Sequence, residues 1–184
     1  MSLRYILISS FAFLAFSLTG QNQVRWLSFE EAIEKSETEP RKIFIDVYTD
    51  WCGWCKKMDR NTFNNNQIAK YLNENYYPVK FDAEYKNDII FNGTTYKFIK
   101  TYRGGYHELA TYILSGRLSF PSTVFIDENG EIIQSIPGYQ DFENMDMILK
   151  YFGDNHHKKT PWRKFEKMYH IEKSLSVPVK NRNE

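Results

Sequence analysis

Cysteine is scarce in this chain. Only Cys52 and Cys55 occur among 184 residues. With no second cysteine pair, a structural zinc site lacks its four ligands. The histidines, His107, His156, His157 and His170, lie far off in sequence and follow no ligand spacing. An excess of either charge is missing too. Lys and Arg number 24 against 23 Asp and Glu, a formal charge of +1. Removing residues 1–20 takes away Arg4 and no acid, leaving 23 of each sign. No global field then draws in nucleic acid or anionic lipid. Internal repeats and low-complexity tracts are also absent.

Long apolar runs are wanting. The stretch from Tyr5 to Leu18 is too short to span a bilayer comfortably. Arg4 precedes it, and small Ser17, Thr19 and Gly20 follow it ahead of Gln21-Asn22-Gln23. This is the pattern of a secretory signal over residues 1–20, with an uncleaved membrane anchor as the alternative. No cysteine follows the stretch, so lipid attachment there is not expected. Export would place the two thiols in an oxidising compartment, a bacterial periplasm or the secreted space.

What is present centres on Trp51-Cys52-Gly53-Trp54-Cys55-Lys56-Lys57-Met58, directly after the apolar run from Lys42 to Tyr48. A strand ending in Cys-x-x-Cys and turning into a helix puts one thiol at the helix N-terminus. Unpaired amides and the dipole favour a thiolate there. The second thiol, one turn on, can close a small disulfide with it. A redox dithiol is the expectation. A zinc half-site would need partners elsewhere, and an inert staple over so short a loop would remove little chain entropy.

The length suits one domain plus appendages. Aromatic residues make up 17% of it, enough for a well-filled core and an exposed aromatic surface. Val24-Arg25-Trp26 reads as a short strand. Ser28 and Glu31 have the capping-box spacing for a helix to about Glu37, which stops before Pro40. Lys42 to Tyr48 is a strand covered on both faces. Helices are expected from Cys52 to about Thr62 and from Gln67 to Asn75, then a strand from Tyr77 to Asp82. Asn92-Gly93 suits a hairpin turn between Ile89-Ile90-Phe91 and Thr94-Thr95-Tyr96. Arg103-Gly104-Gly105 reads as a break, and Tyr106 to Leu114 as a helix with Gly116 its C-cap. A hairpin of Ser122–Asp127 and Glu131–Ile136 follows, then a helix from Asp141 as cap to Tyr151. Beyond Gly153 the chain turns polar and basic, with His156-His157-Lys158-Lys159 as a solvated tail. Thr160-Pro161 then opens a short amphipathic segment with Trp162, Phe165 and Tyr169. This order predicts an α/β fold, a mixed central sheet with helices on both faces.

In these motifs the chain resembles the thioredoxin superfamily, in particular secreted bacterial thioredoxin-like proteins with Trp-Cys-Gly-Trp-Cys-Lys-Lys-Met. The likeness covers roughly residues 24–151. It includes Phe120-Pro121-Ser122-Thr123 before a strand, the following hairpin, Gly138 and the last helix. The implied organisation is a signal over 1–20, a thioredoxin-like domain over 21–152 with an insertion at about 84–116 before the cis-proline loop, and an extension over 153–184.

The resemblance implies that Cys52 is the exposed nucleophile, Cys55 the resolving thiol and Pro121 a cis-proline facing the dithiol. Phe120 would then offer a backbone edge to an extended substrate, with Trp51, Gly53 and Trp54 beside it. Asp46 interrupts an apolar strand and matches the family's buried carboxylate. Burial would raise its pKa and fit it to take a proton from Cys55; pairing with a lysine such as Lys80 for structure alone is the other reading. Trp54 stands where thioredoxins carry proline, and Phe120 where a smaller residue is usual. Trp54 would serve client docking or pack on the insertion. His107 either approaches the cysteines or is a hydrogen-bonded structural residue.

The implied activity is disulfide exchange with protein thiols and disulfides, acting as a reductase, with no metal or organic cofactor. A membrane or soluble redox partner would recharge the dithiol. A non-catalytic binding module using the insertion and the extension is the competing function.

Overall fold

The sheet is organised around one strand that the chain makes apolar at nearly every position. The computed structural model describes residues 23–176 except Arg103. The expected signal and the last residues of the extension lie outside the described residues. In chain order come α1 (Phe29–Thr38), β1 (Ile43–Tyr48) and α2 (Gly53–Met58), the last continued by a π-helical turn over Asp59–Phe63. Next are α3 (Asn66–Asn75), β2 (Tyr77–Asp82), β3 (Ile89–Phe91), β4 (Thr94–Tyr96), β5 (Phe98–Thr101) and β6 (Gly104–His107). Then follow α4 (Glu108–Ile113), β7 (Ser122–Ile126), β8 (Ile132–Pro137), α5 (Phe142–Gly153) and α6 (Trp162–Ser176).

β1 pairs parallel with β2 and antiparallel with β7, and β7 pairs antiparallel with β8. The order β2-β1-β7-β8 is the mixed sheet expected. Ile43, Ile45 and Val47 point to one face, packed with Phe29 and Ala32 of α1 and Leu109, Ala110 and Ile113 of α4. Phe44 points to the other, with Met58, Ile68, Leu72, Phe125, Leu149 and Phe152. Each such side chain fully buried contributes about 1.5–3 kcal/mol, so a polar residue inside β1 needs a particular reason to be there. Asp46 is that residue.

The capping box holds: Ser28 accepts from the Glu31 amide at 3.1 Å, and Glu31 accepts from the Ser28 amide at 2.8 Å. Asn65 and Asp141 cap α3 and α5. Asn92 and Gly93 have φ of 47° and 73°, the left-handed pair the β3–β4 turn requires.

Several expectations change. Val24-Arg25-Trp26 forms no strand; Leu27 alone makes a parallel bridge to Val79 before Ser28 turns the chain into α1. The break expected at Gly104-Gly105 is strand β6, paired with β5 from His107 opposite Phe98 to Gly104 opposite Thr101. A Cβ at Gly105 would collide with the Phe98 ring and the Ile99 carbonyl, so glycine permits the pairing. Tyr106 is therefore strand, and α4 starts only at Glu108. The helix ends in a Schellman motif with Ser115 at the left-handed position, φ 53°. Gly116, one residue further, donates to Thr111 O at 2.8 Å.

The extension is not a solvated tail. A single 3-10 turn over His156–Lys158 leads into the 15-residue α6. Phe165 is buried, and Trp162 and Tyr169 pack beside it against the α5 face. The Tyr169 hydroxyl donates to buried Asp146, which also accepts from Lys150 Nζ at 2.8 Å. His157 lies 5.3 Å from the Phe152 ring. Among the described residues, no helix is long and apolar enough to cross a membrane.

Candidate functional site

At the C-terminal end of β1 the chain turns into α2, and the two cysteines meet. Cys52 and Cys55 are disulfide-bonded, their Cα atoms 5.3 Å apart. Cys52 is the N-cap of α2 in extended conformation, and its Sγ accepts from the Cys55 amide at 3.0 Å. On reduction that amide, otherwise unpaired at a helix start, is placed to favour a thiolate on Cys52. Cys52 is 5% exposed and Cys55 2%. In the oxidised form the expected nucleophile is thus nearly covered rather than exposed, though it remains the more open of the two.

The flanking residues frame this disulfide. Trp51 is 67% and Trp54 57% exposed. The Trp51 ring meets Phe120 edge-on at 6.0 Å, bringing the loop with the cis Phe120–Pro121 bond against the start of the dithiol motif. Pro121 O accepts from the Gly138 amide at 2.8 Å. The next residues rest on the active helix. Gln140 N donates to Met58 Sδ at 3.4 Å, and Thr62 Oγ1 donates to Gln140 O at 2.7 Å. Trp54 packs on Tyr139 at 5.6 Å, with Lys57 Nζ 4.6 Å from its ring. Packing of Trp54 on the insertion is therefore not what occurs. Gly53 is exposed, and a Cβ there would meet nothing within 4 Å, so the surface between the two cysteines in sequence is open at that residue.

The insertion reaches the site through Trp51 instead, whose Nε1 donates to Glu84 Oε1 at 3.2 Å. Trp51, Glu84, Leu118 and Phe120 on one side and Thr101, Gly105 and Tyr106 on the other bound a cleft of about 290 Å³. The β5–β6 hairpin is thus one wall of the space beside the dithiol.

Asp46 is fully buried on the side of β1 that carries Phe44. Its Oδ2 accepts from Lys80 Nζ at 2.5 Å, while Oδ1 has no hydrogen-bond partner. Desolvation pushes its pKa up, Lys80 pulls it down and Asp59 pushes it up again, to about 6. Lys80 is displaced upward: burial lowers it, and the two carboxylates outweigh that. The expected lysine pairing and the raised carboxyl are therefore both present. His107 is buried, with Nδ1 accepting from the Leu109 amide at 3.1 Å and Nε2 donating to Asn87 O at 3.0 Å. Both ring nitrogens are engaged in holding the insertion, not turned to the cysteines.

Sequence reasoning missed Glu84, Asp59 and Tyr139. Glu84 lies two residues beyond β2, and Asp59 directly follows the motif; nothing in either position says which way its side chain turns. A dithiol across a helix N-terminus, beside a cis-proline loop and above a mixed α/β sheet, defines a thioredoxin-fold redox protein. The family model of the thioredoxin-like domain matches residues 29–153, and the chain belongs to that family.

It is similar to the spermatogenesis-associated protein 20 of Rattus norvegicus, 36% identical over 71 residues, 38% of this chain. The chain spans only 9% of the length of that relative. The thiol-disulfide oxidoreductase ResA of Bacillus thuringiensis is 26% identical over 127 residues, 64% of this chain and 67% of its own. A thioredoxin-fold protein from Helicobacter pylori superposes with a TM-score of 0.57 at 18% identity, covering 74% of this chain and 87% of that one, which shows the fold. Oxidoreductase relatives together with the Cys52–Cys55 disulfide support a thioredoxin-type redox role.

Proposed function

We propose that the protein is an exported thiol-disulfide oxidoreductase that reduces disulfides of protein clients. The observation that carries this is Cys52 at the N-cap of α2, its sulfur bonded to Cys55 and hydrogen-bonded by the Cys55 amide. In the reduced protein the Cys52 thiolate attacks a client disulfide, forming a mixed disulfide and releasing one client thiolate. The Cys55 S–H bond then breaks, with Asp46 taking the proton, and the Cys55 sulfur displaces the client from Cys52. The client leaves with two electrons, and the enzyme is left as the Cys52–Cys55 disulfide. A thiol-bearing electron donor, soluble or membrane-bound, must reduce it again.

Export rests on the charged, apolar and small-residue pattern of residues 1–20. The reductive direction is supported by Glu84, whose carboxylate is held against Trp51 at the start of the dithiol motif and disfavours extra negative charge there.

The test is the Cys55→Ser variant, which traps disulfide-linked clients if Cys52 is the attacking thiol. Absence of adducts, with the double cysteine variant behaving as wild type, would leave a binding module. Equilibration with a glutathione series sets the direction: a potential near about −270 mV marks a reductase, and one near about −120 mV an oxidase.

A further inference from the structure

We infer that Asp59 is a positioning residue for the proton step, competing with Asp46 for Lys80 and so setting how readily the buried carboxylate takes its proton. The inference rests on the reading in which Asp46 accepts that proton from Cys55.

Lys80 is shared. Its Nζ donates to Asp46 Oδ2 and also to Asp59 Oδ1. An ammonium has three donors, so it holds both carboxylates, but neither has it alone. The rings of Tyr48, Trp26 and Phe63 surround Nζ at 5.0, 5.3 and 5.6 Å and fix it between the two. Asp46 has no other support, since its Oδ1 is buried without a partner. A carboxylate held by several donors has a low proton affinity, and one that shares a single lysine binds a proton more readily.

Exposure rises along the chain of contacts. The side chains of Asp46, Lys80 and Asp59 are 0%, 19% and 40% exposed. Lys80 and Asp59 line a cleft of about 380 Å³ with Trp26, Phe63 and Asn64, so Asp59 is the member that meets water. When Asp46 is neutralised, Lys80 keeps a charged partner in Asp59. Without Asp59, protonating Asp46 would strand a largely buried ammonium, and the protein would resist it.

The charged and titratable groups facing Asp46 are Lys80 from β2, Asp59 from the continuation of α2, and Tyr48 on its own strand. Its register neighbour on β7 is the uncharged Thr123. Burial raises the carboxyl, Lys80 lowers it and Asp59 raises it. Neutralising residue 59 therefore gives Lys80 wholly to Asp46 and lowers its proton affinity. In the step itself the S–H bond of Cys55 breaks and an O–H bond forms on Asp46. The sulfur keeps the electron pair it uses against Cys52, and the client disulfide remains the oxidant.

The test is a carbon-13 NMR titration of the Asp46 carboxyl in the oxidised full chain. Asp59→Asn should lower the midpoint by about half a pH unit or more, and Asp59→Glu should restore it. Superimposable midpoints in wild type and Asp59→Asn overturn the competition for Lys80. This readout needs no turnover, so it stands or falls separately from the redox reading, which fails if Cys52→Ser retains disulfide-reducing activity. The acid limb of kcat/KM should move to lower pH in Asp59→Asn. A midpoint that moves while the limb stays overturns the role in the proton step.

Discussion

Trp51 donates its indole N–H to the carboxylate of Glu84, 33 positions away and at 3.2 Å. The residue before the dithiol is thereby anchored to the segment that leads into the insertion, although its ring is mostly in water. An exposed aromatic would otherwise sample several rotamers, and the Phe120 edge contact alone is a weak restraint.

Replacing Glu84 by Ala should loosen that indole. One such hydrogen bond is worth about 0.5–1.5 kcal/mol, roughly two- to thirteen-fold in a rate or binding constant. The expected result is a rise in KM for a protein disulfide within that range, with a stability change under about 1 kcal/mol. Glu84→Gln, which keeps an acceptor, should behave nearly as wild type. Steady-state kinetics with the three proteins checks this.

Asp46 titrates near 6 against an ordinary 3.8, so the folded form binds its proton more tightly than the unfolded chain does. The carboxyl therefore favours the fold fully below about 3.8, and that contribution is lost as pH rises through about 6. At pH 7.5 the ionised group costs about 2–3 kcal/mol at 1.36 kcal/mol per unit. Asp46→Asn should accordingly be more stable than wild type at that pH, by urea denaturation. The advantage should fade toward pH 4, while disulfide exchange slows. Equal stabilities at neutral pH would contradict the raised carboxyl.

His107→Leu should cost about 1–3 kcal/mol, because it leaves the Leu109 amide and the Asn87 carbonyl without partners. The exchange rate and the reduction potential of the folded variant should match wild type. A variant stable in urea but slow in exchange would return this histidine to the chemistry.

The features legible beforehand were those governed by local rules. The unbroken apolar run of β1 announced a strand covered on both faces, and Ser28 with Glu31 announced the start of α1. Asn92-Gly93 marked a turn, and the two cysteines marked the site. What escaped was set by tertiary partners. Gly104 and Gly105 are poor strand formers in isolation and become strand because Phe98 and Ile99 close against a bare Cα. The spacing of Trp162, Phe165 and Tyr169 was visible, yet the apolar surface of α5 awaiting them was not. Asp46 stood out as a charge among hydrophobes. Its second competitor, Asp59, did not, since a widened π turn carries the chain past the point where helical periodicity can be extrapolated.

α6 also changes where the folded unit can be cut. The matched family module stops at residue 153, but the oily side of α5 continues under Phe165 and Trp162, and Asp146 depends on a tyrosine sixteen places past that boundary. A recombinant piece cut to family length would bare Tyr151 and Phe152 to water and invite aggregation. The smallest self-sufficient unit extends at least through Tyr169.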